Sequence, residues 1–412
     1  MKKNPEFRLS AIIACLISMF SVGIVYLWSV FQQPVVDYYG WSVSSVTMVS
    51  SAIIFVYVVG SLIGGVLNDR KGPRFSIVLG SILFCGGLLL SSFLTPAMPV
   101  WSIYLTYGVV AGLGVGLVYS AALNVIQKWY PHRRGFATGI SVCAFGLSAT
   151  VLAPLITMLI NRFEVPGAFR ILAFTFPVAA FLCSFFVVTP SQKYLDGLNL
   201  ARGGKPQRDY TPREAVRHLE FWSLALSLLF LPAAYMMIIP RVKTLAIARG
   251  MSEGLATLTV SLTGVGSAVS RLLAASASDK VGRARTIWTL SVVTLIASVC
   301  STFASGWFYV VVVLVIVAGY SGPAGIFPAM ASDSFGVKYS GTNYGMAFMF
   351  LGISSPLFTM ISNLVSASGA ETGNYTASFV IAAVGCIVPL VMLPLYDVAK
   401  KKRLAREAAE QV

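Results

Sequence analysis

Apolar residues run along this chain in long blocks, broken by short polar turns. A helical block of about 20 such residues, at 1.5 Å per residue, matches the roughly 30 Å hydrocarbon core of a bilayer. Windows of that length predict helices near 9–33, 43–67, 74–94, 100–127, 135–161, 168–189, 220–245, 252–278, 286–304, 307–332, 341–366 and 374–397. The expected fold class is therefore an all-α polytopic membrane protein with twelve transmembrane helices. One longer polar stretch, rich in Gly, Pro and basic residues, interrupts the series at 190–219. It divides the chain into an N-terminal six-helix bundle (1–189), a linker (190–219), a C-terminal six-helix bundle (220–398) and a basic tail (399–412). Within the linker, Thr211-Pro212-Arg213-Glu214 has the pattern of a helix start with Pro near the first position. A short surface helix leading into Phe221 and Trp222 is expected there. Trp41, Trp101, Trp129, Tyr130, Trp222 and Trp307 fall at span ends, where aromatic residues form interfacial belts.

The two halves repeat. Gly65 to Arg74 after the second span is echoed by Ala275 to Arg283 after the eighth, with Asp69 and Asp279 separated by 210 positions. Gly135 and Gly139 are echoed by Gly341 and Gly345, each 206 positions on. Two parallel repeats of this size are the mark of a two-bundle transporter with pseudo-symmetric halves.

Composition and charge sharpen this picture. The 412 residues are 57% hydrophobic and 11% charged, and mean hydropathy is +0.80. Soluble domains carry about 25% charged residues. The net charge of +15 invites a nucleic-acid reading, but its placement argues against one. Twenty-four of the 30 lysines and arginines fall in the termini and loops of one side, five on the other, and Arg271 within a span. By the positive-inside rule the basic side is cytoplasmic, with both termini on it. The expected location is a plasma membrane, in a prokaryote the inner membrane. An anionic membrane surface is the expected neighbour. No cleavable signal peptide is evident, because MKKNPEFR leads straight into a full-length span. Cys15, Cys85, Cys143, Cys183, Cys300 and Cys386 all lie in apolar spans without metal-ligand spacing, and read as small buried hydrophobes. No cofactor or metal is expected. No Walker loop, HExxH, paired carboxylate or nucleophile elbow argues for an enzyme.

The candidate chemistry centres on Arg271. It lies eight residues before Asp279, about 12 Å along a helix axis. A cation that deep costs about 3 kcal/mol or more and normally faces a water-filled path or a partner. Its planar fork fits a carboxylate. The alternative is a structural arginine paired with a carboxylate or with helix carbonyls.

Gly65 to Arg74, with twelve spans and a second copy, resembles the signature between helices 2 and 3 of the major facilitator superfamily, and the resemblance covers the whole chain. More narrowly the chain is similar to the oxalate/formate antiporter and monocarboxylate porter group. That resemblance is carried by Tyr26-Leu27-Trp28, Gly112 to Tyr119, Lys128 to Gly135, Arg271 with Ser278 to Arg283, Phe327-Pro328 with Ser332 to Gly336, and Asn343-Tyr344-Gly345. It implies the major facilitator fold and pairing of Arg271 with the substrate anion. A conformational latch is expected from Gly65, Asp69, Arg70, Arg74, Asp279, Arg283 and Asp333. Gly65 would allow close helix approach, and Asp69 would face a helix N-terminus in the other half.

Tyr119 is the next substrate-binding candidate; the alternative is a tyrosine satisfied by a backbone carbonyl. Tyr26 has similar standing, and Trp28 suits packing as well as a pocket. Tyr320 opens YSGPAGIFP, a Gly/Pro-interrupted helix of the kind tolerated beside a cavity. Phe348, Leu351 and Ala324 complete the candidate pocket. Oxalate-exchanging members carry a lysine at the position aligned with Leu351 and an aromatic at that of Ala324. Their absence favours one carboxylate over two. Animal monocarboxylate carriers place an aspartate where Ser267 stands, and a lysine on the first helix, so their proton-binding residues do not carry over. Asp333 is read as a latch residue with proton coupling as the alternative. His132 and His218 are expected to be solvated. Arg241 and Lys243 either anchor a helix end or form a positive outer vestibule.

The expected function is secondary active transport of small monocarboxylates of the lactate, pyruvate or formate kind, coupled to protons, by a functional monomer. The alternatives are an oxalate/formate-type exchanger, a carboxylate-sensing transceptor and a drug exporter. A transceptor would be marked by a large signalling domain, where a short basic helix is expected as the tail, and a cationic-drug exporter is disfavoured by the arginine.

Overall fold

The computed structural model of the chain describes residues 7–191, 208–239, 242–372 and 376–409. Among these the regular structure is entirely helical. Eleven helices are long and apolar enough to cross a membrane. They are α1 (Arg8–Tyr39), α2 (Val43–Lys71), α3 (Pro73–Ser91), α4 (Trp101–Trp129), the stretch Arg134–Phe186, α7 (Leu219–Ile238), α8 (Glu253–Val281), α9 (Arg283–Cys300), α10 (Gly306–Phe335), α11 (Ser340–Thr372) and α12 (Thr376–Ala409).

The stretch Arg134–Phe186 has 53 residues, about 80 Å of helix, enough to cross twice. The reversal falls at Glu164, whose φ of 58° and ψ of −179° break the helix. The limbs on either side, residues 134–163 and 165–186, are α5 and α6. The second limb returns to the face where α4 ends, since Trp129 donates its indole N–H to the Val188 carbonyl at 2.8 Å. Twelve crossings result. The fifth and sixth spans are joined by one strained residue where the sequence predicts a short loop. At the C-terminus α12 passes position 398 without a break, so the basic tail continues the last helix.

The internal repeat is visible in the backbone. α2 and α8 both have 29 residues and both start after a serine, Ser42 or Ser252, whose side chain accepts a bond from the third backbone N–H of the helix. Both end at a positive-φ glycine, Gly72 at 87° and Gly282 at 107°. Pro73 then opens α3. The two halves meet along two crossings, α2 with α11 and α5 with α8. In the first, Gly65 and Gly341 bring the backbones together: a Cβ on Gly65 would lie 2.5 Å from the Gly341 carbonyl carbon. Two further helices are irregular. α1 tightens to a 3-10 segment at Gly23–Leu27, and α10 breaks between Ala324 and Phe327, after Pro323. All six cysteines are free thiols.

Glu164 holds a conformation that essentially only glycine adopts without strain, at a cost of about 1–3 kcal/mol. Glu164→Gly should therefore raise the thermal unfolding midpoint of the purified protein; an unchanged or lower midpoint would show that the turn is not strained.

Candidate functional site

α8 carries Arg271 into the crossing with α5. The side chain is 5% exposed. Its Nη1 donates to the Val142 carbonyl of α5 at 3.0 Å. The guanidinium lies against Gly146, one turn further along α5, where a Cβ would stand 2.7 Å from Arg271 Cζ. Gly146 is thus the space that houses the arginine. Sequence reasoning missed it, although Gly135, Gly139 and Gly146 share a helical face at i, i+4 and i+11.

Phe145, which precedes Gly146 on α5, belongs to an aromatic cluster that draws on both halves. Tyr57 of α2, Tyr119 of α4 and Phe145 come from the first half, and Phe348 and Tyr344 of α11 from the second. Tyr119 stacks on Phe348 with centroids 5.8 Å apart and 8° between planes. Phe145 meets Tyr119 edge-on at 5.2 Å. Tyr57 contacts Tyr119 and Phe348, both at 5.7 Å. Tyr344 stacks on Phe348 at 5.0 Å. Tyr119 and Phe348 were candidates from sequence; Tyr57 and Phe145 were not, because single aromatics in long apolar spans look like core. Leu351 is buried in the large hydrophobic core that also contains these aromatics, and Ala324 is packed against that core. Tyr320 packs against that core too and meets Tyr235 of α7, with ring centroids 4.4 Å apart and 31° between planes. The backbone of Tyr26 lies in the 3-10 segment of α1, and its side chain lies outside the described residues. One turn before Arg271, Ser267 shares a hydrogen bond with Ser321 of α10 at 2.7 Å.

The face carrying the 2–3, 4–5, 8–9 and 10–11 turns holds a second set of contacts. Asp69 Oδ2 accepts from the backbone N–H and the hydroxyl of Thr342, at 3.0 and 2.8 Å. Asp279 accepts from the backbone N–H of Gly135 and of Phe136, at 2.9 and 2.8 Å. Each carboxylate thus sits at the N-terminus of a helix in the opposite half, α11 or α5, where the exposed N–H groups and the helix dipole favour an anion. Asp333 bridges Arg134 and Arg283, both at 2.9 Å, and Arg283 also pairs with Asp279 at 2.6 Å. Between them, Gln127 and Asn124 of α4 accept from Ser332 and Ser340, at 2.8 and 2.7 Å. Arg70 is exposed, and the Arg74 guanidinium lies 4.7 Å over the Phe185 ring. Neither enters the contacts between the halves, because the single turn from α2 to α3 aims both toward the outside of their own bundle.

Two other candidates are placed differently from expectation. His218 packs edge-on against Tyr210 at 5.1 Å, and burial lowers its pKa; it is not a fully solvated histidine, whereas His132 is exposed. Lys243 pairs with Glu253 at 3.1 Å, which neutralises it as part of a positive vestibule. Arg241 lies outside the described residues.

A sequence profile described as the Major Facilitator Superfamily matches residues 11–359 and 224–411. The chain belongs to that superfamily, and its fold defines a multi-pass membrane transporter rather than an enzyme. It is 23% identical over 392 residues to an oxalate:formate antiporter of Oxalobacter formigenes, covering 93% of this chain and 89% of that one. It is 27% identical over 394 residues to monocarboxylate transporter 13 of Bos taurus, covering 91% and 84%. Its fold matches that of the proton:xylose symporter XylE with a TM-score of 0.74, at 14% identity over 95% of this chain and 96% of that one.

Charge-assisted hydrogen bonds contribute about 1.5–3 kcal/mol each. Asp69→Asn and Asp279→Asn should each loosen the two halves on this face and raise thiol labelling of a cysteine placed at Leu123, in a background lacking the native cysteines, by roughly tenfold. Labelling at the parent rate in both variants would count against the carboxylates as the closing contact.

Proposed function

We propose that the protein is a secondary carrier of small monocarboxylates of the lactate, pyruvate or formate kind. It would work by alternating access, binding the substrate carboxylate at Arg271. The observation that carries this reading is the buried arginine at mid-span, in the crossing between the two halves. Such a place is reached from either side when the halves rock about it. A guanidinium binds a carboxylate with two parallel bonds. Tyr119 would lend a phenol donor, and Phe145, Phe348 and Leu351 an apolar wall for a short tail.

The relatives support the class. Two of them are described as handling oxalate and formate, or monocarboxylates. Exchange of the oxalate:formate kind is the second reading, on the strength of the first relative. The missing cation at Leu351 favours one carboxylate. On this reading the basic face is cytoplasmic, both termini lie there, and the membrane is a plasma membrane. Asp69, Asp279, Asp333, Arg283 and Gly65 would latch that face while the carrier opens to the outside. Proton coupling belongs to the same proposal.

Uptake of a labelled panel of mono- and dicarboxylates into proteoliposomes, with and without a pH gradient, tests the reading; counterflow from preloaded vesicles separates exchange from symport. Arg271→Lys should impair uptake strongly, because an ammonium cannot reproduce the planar fork. Arg271→Gln should insert normally and lower substrate affinity at least about tenfold, and should abolish any rise of uptake with falling external pH. Full transport by Arg271→Gln at normal membrane levels would sink the assignment. Leu351→Lys should improve dicarboxylate competition relative to monocarboxylate; an unchanged ratio would remove Leu351 from the pocket.

A further inference from the structure

The segment before α7 and the extended end of α12 close around a cleft of about 530 Å³ on the basic face. Its walls are built. Thr211 and Glu214 form a capping box. The Tyr210 N–H donates to the Phe335 carbonyl at 2.9 Å, and Asn343 donates to the Tyr210 carbonyl at 3.0 Å. Arg403 pairs with buried Glu220 at 3.1 Å, donates to the Ser334 carbonyl at 2.9 Å, and lies 4.6 Å over the Tyr210 ring.

The lining is strongly cationic. Among the described residues that line it, Arg208, Arg217, Lys402, Arg403 and Arg406 face two carboxylates, Glu214 and Glu220. Both carboxylates are engaged, Glu220 by Arg403 and Glu214 by Arg208 at 3.5 Å. Arg217, Lys402 and Arg406 are exposed, and none pairs with a carboxylate within 4 Å among the described residues. The depth of the cleft is equally informative. Leu219, the first residue of α7, lines it and is 48% exposed. Trp222, one turn deeper, is 45% exposed and donates its indole N–H to the Val216 carbonyl at 2.9 Å. Exposed Leu and Trp at the start of a membrane-crossing helix mark the boundary between headgroups and acyl chains.

We propose that this cleft binds the headgroup phosphate of an anionic phospholipid, with Arg217, Lys402 and Arg406 around the phosphate and Leu219 and Trp222 against the acyl chains. Lipid is favoured over free phosphate because the cations are continuous with an exposed apolar rim, which a small aqueous anion would not use. Each basic residue near an anionic surface strengthens attachment, and here three converge on one rigid recess.

Native mass spectrometry of the purified full chain in neutral detergent tests this with phosphatidylglycerol, phosphatidylcholine and inorganic phosphate as separate probes. The parent protein should retain phosphatidylglycerol over phosphatidylcholine. The triple variant Arg217→Gln/Lys402→Gln/Arg406→Gln should lose that retention by about tenfold or more. A charge-matched triple outside the cleft, Arg133→Gln/Lys280→Gln/Arg285→Gln, should keep it. Should the first triple unfold, the single variant Arg217→Glu on the exposed turn before α7 gives the same reading. Equal loss in both triples would mean diffuse charge attraction and overturn the site. Retention of inorganic phosphate alone, with millimolar phosphate displacing the lipid, would overturn the lipid assignment.

Discussion

A carboxylate set against the N-terminus of a helix in the opposite half is the contact that joins the two halves on the basic face, and the chain makes it twice. Asp69 meets α11 and Asp279 meets α5. Helix N-termini at the edge of a hydrocarbon layer leave N–H groups without partners, and an unsatisfied polar group there costs several kcal/mol. The aspartates answer that need across the interface, so closing the face satisfies both helices at once. The contact demands that the backbones come close, which explains Gly65 against Gly341 in one crossing. In the other, Gly135 approaches the Ala275 carbonyl and the Asp279 carboxylate. The two sides are not equal. Only the α5–α8 side adds the Arg134–Asp333–Arg283 chain of ion pairs, which makes that side the more strongly held.

The α5–α8 crossing also carries the arginine, so the helix pair that fastens one end positions the candidate ligand two turns deeper. Gly146 opens the space, and the Val142 carbonyl supplies an acceptor. On the proposed function this contact has a use. A carbonyl is a weaker partner for a guanidinium than a carboxylate, so a substrate anion can take its place, while the bond keeps the charge accommodated when substrate is absent.

Periodicity and spacing revealed the twelve crossings, the repeat and the two aspartates, because those depend on local apolar length and on an Asp-x-x-Gly pattern repeated 210 positions on. What escaped depends on tertiary contact. Tyr57 and Phe145 carry no local mark, and only the packing of α2, α4, α5 and α11 gathers them. Arg70 and Arg74 belong to the same motif as Asp69, yet helix phase turns them away. The last helix continues past its apolar block because Arg403 finds buried Glu220. That pairing joins residues 183 positions apart, and a basic run gives no hint of it. The reversal at Glu164 is invisible for the opposite reason. A non-glycine residue in that conformation violates the local rule, and proline at 166 together with glycine at 167 disguises it as an ordinary loop.

The hydroxyl pair Ser267–Ser321 bears on how such a carrier would couple to protons. Serine does not titrate in the physiological range, and an arginine stays protonated. Neither side chain can load and release a proton as a carboxylate would. On the proposed function the charge that changes during the cycle is therefore the substrate's own. The empty site holds a cation at mid-span, and the loaded site is neutral. A neutral core costs less to desolvate when the halves close around it, so binding favours closure without a second titrating group. How freely the empty carrier returns then depends on how well the Val142 carbonyl stands in for the anion. A good substitute permits net transport, and a poor one restricts the carrier to exchange. On the proposed function, the difference between net transport and obligatory exchange thus comes down to the acceptor that Gly146 allows Arg271 to reach.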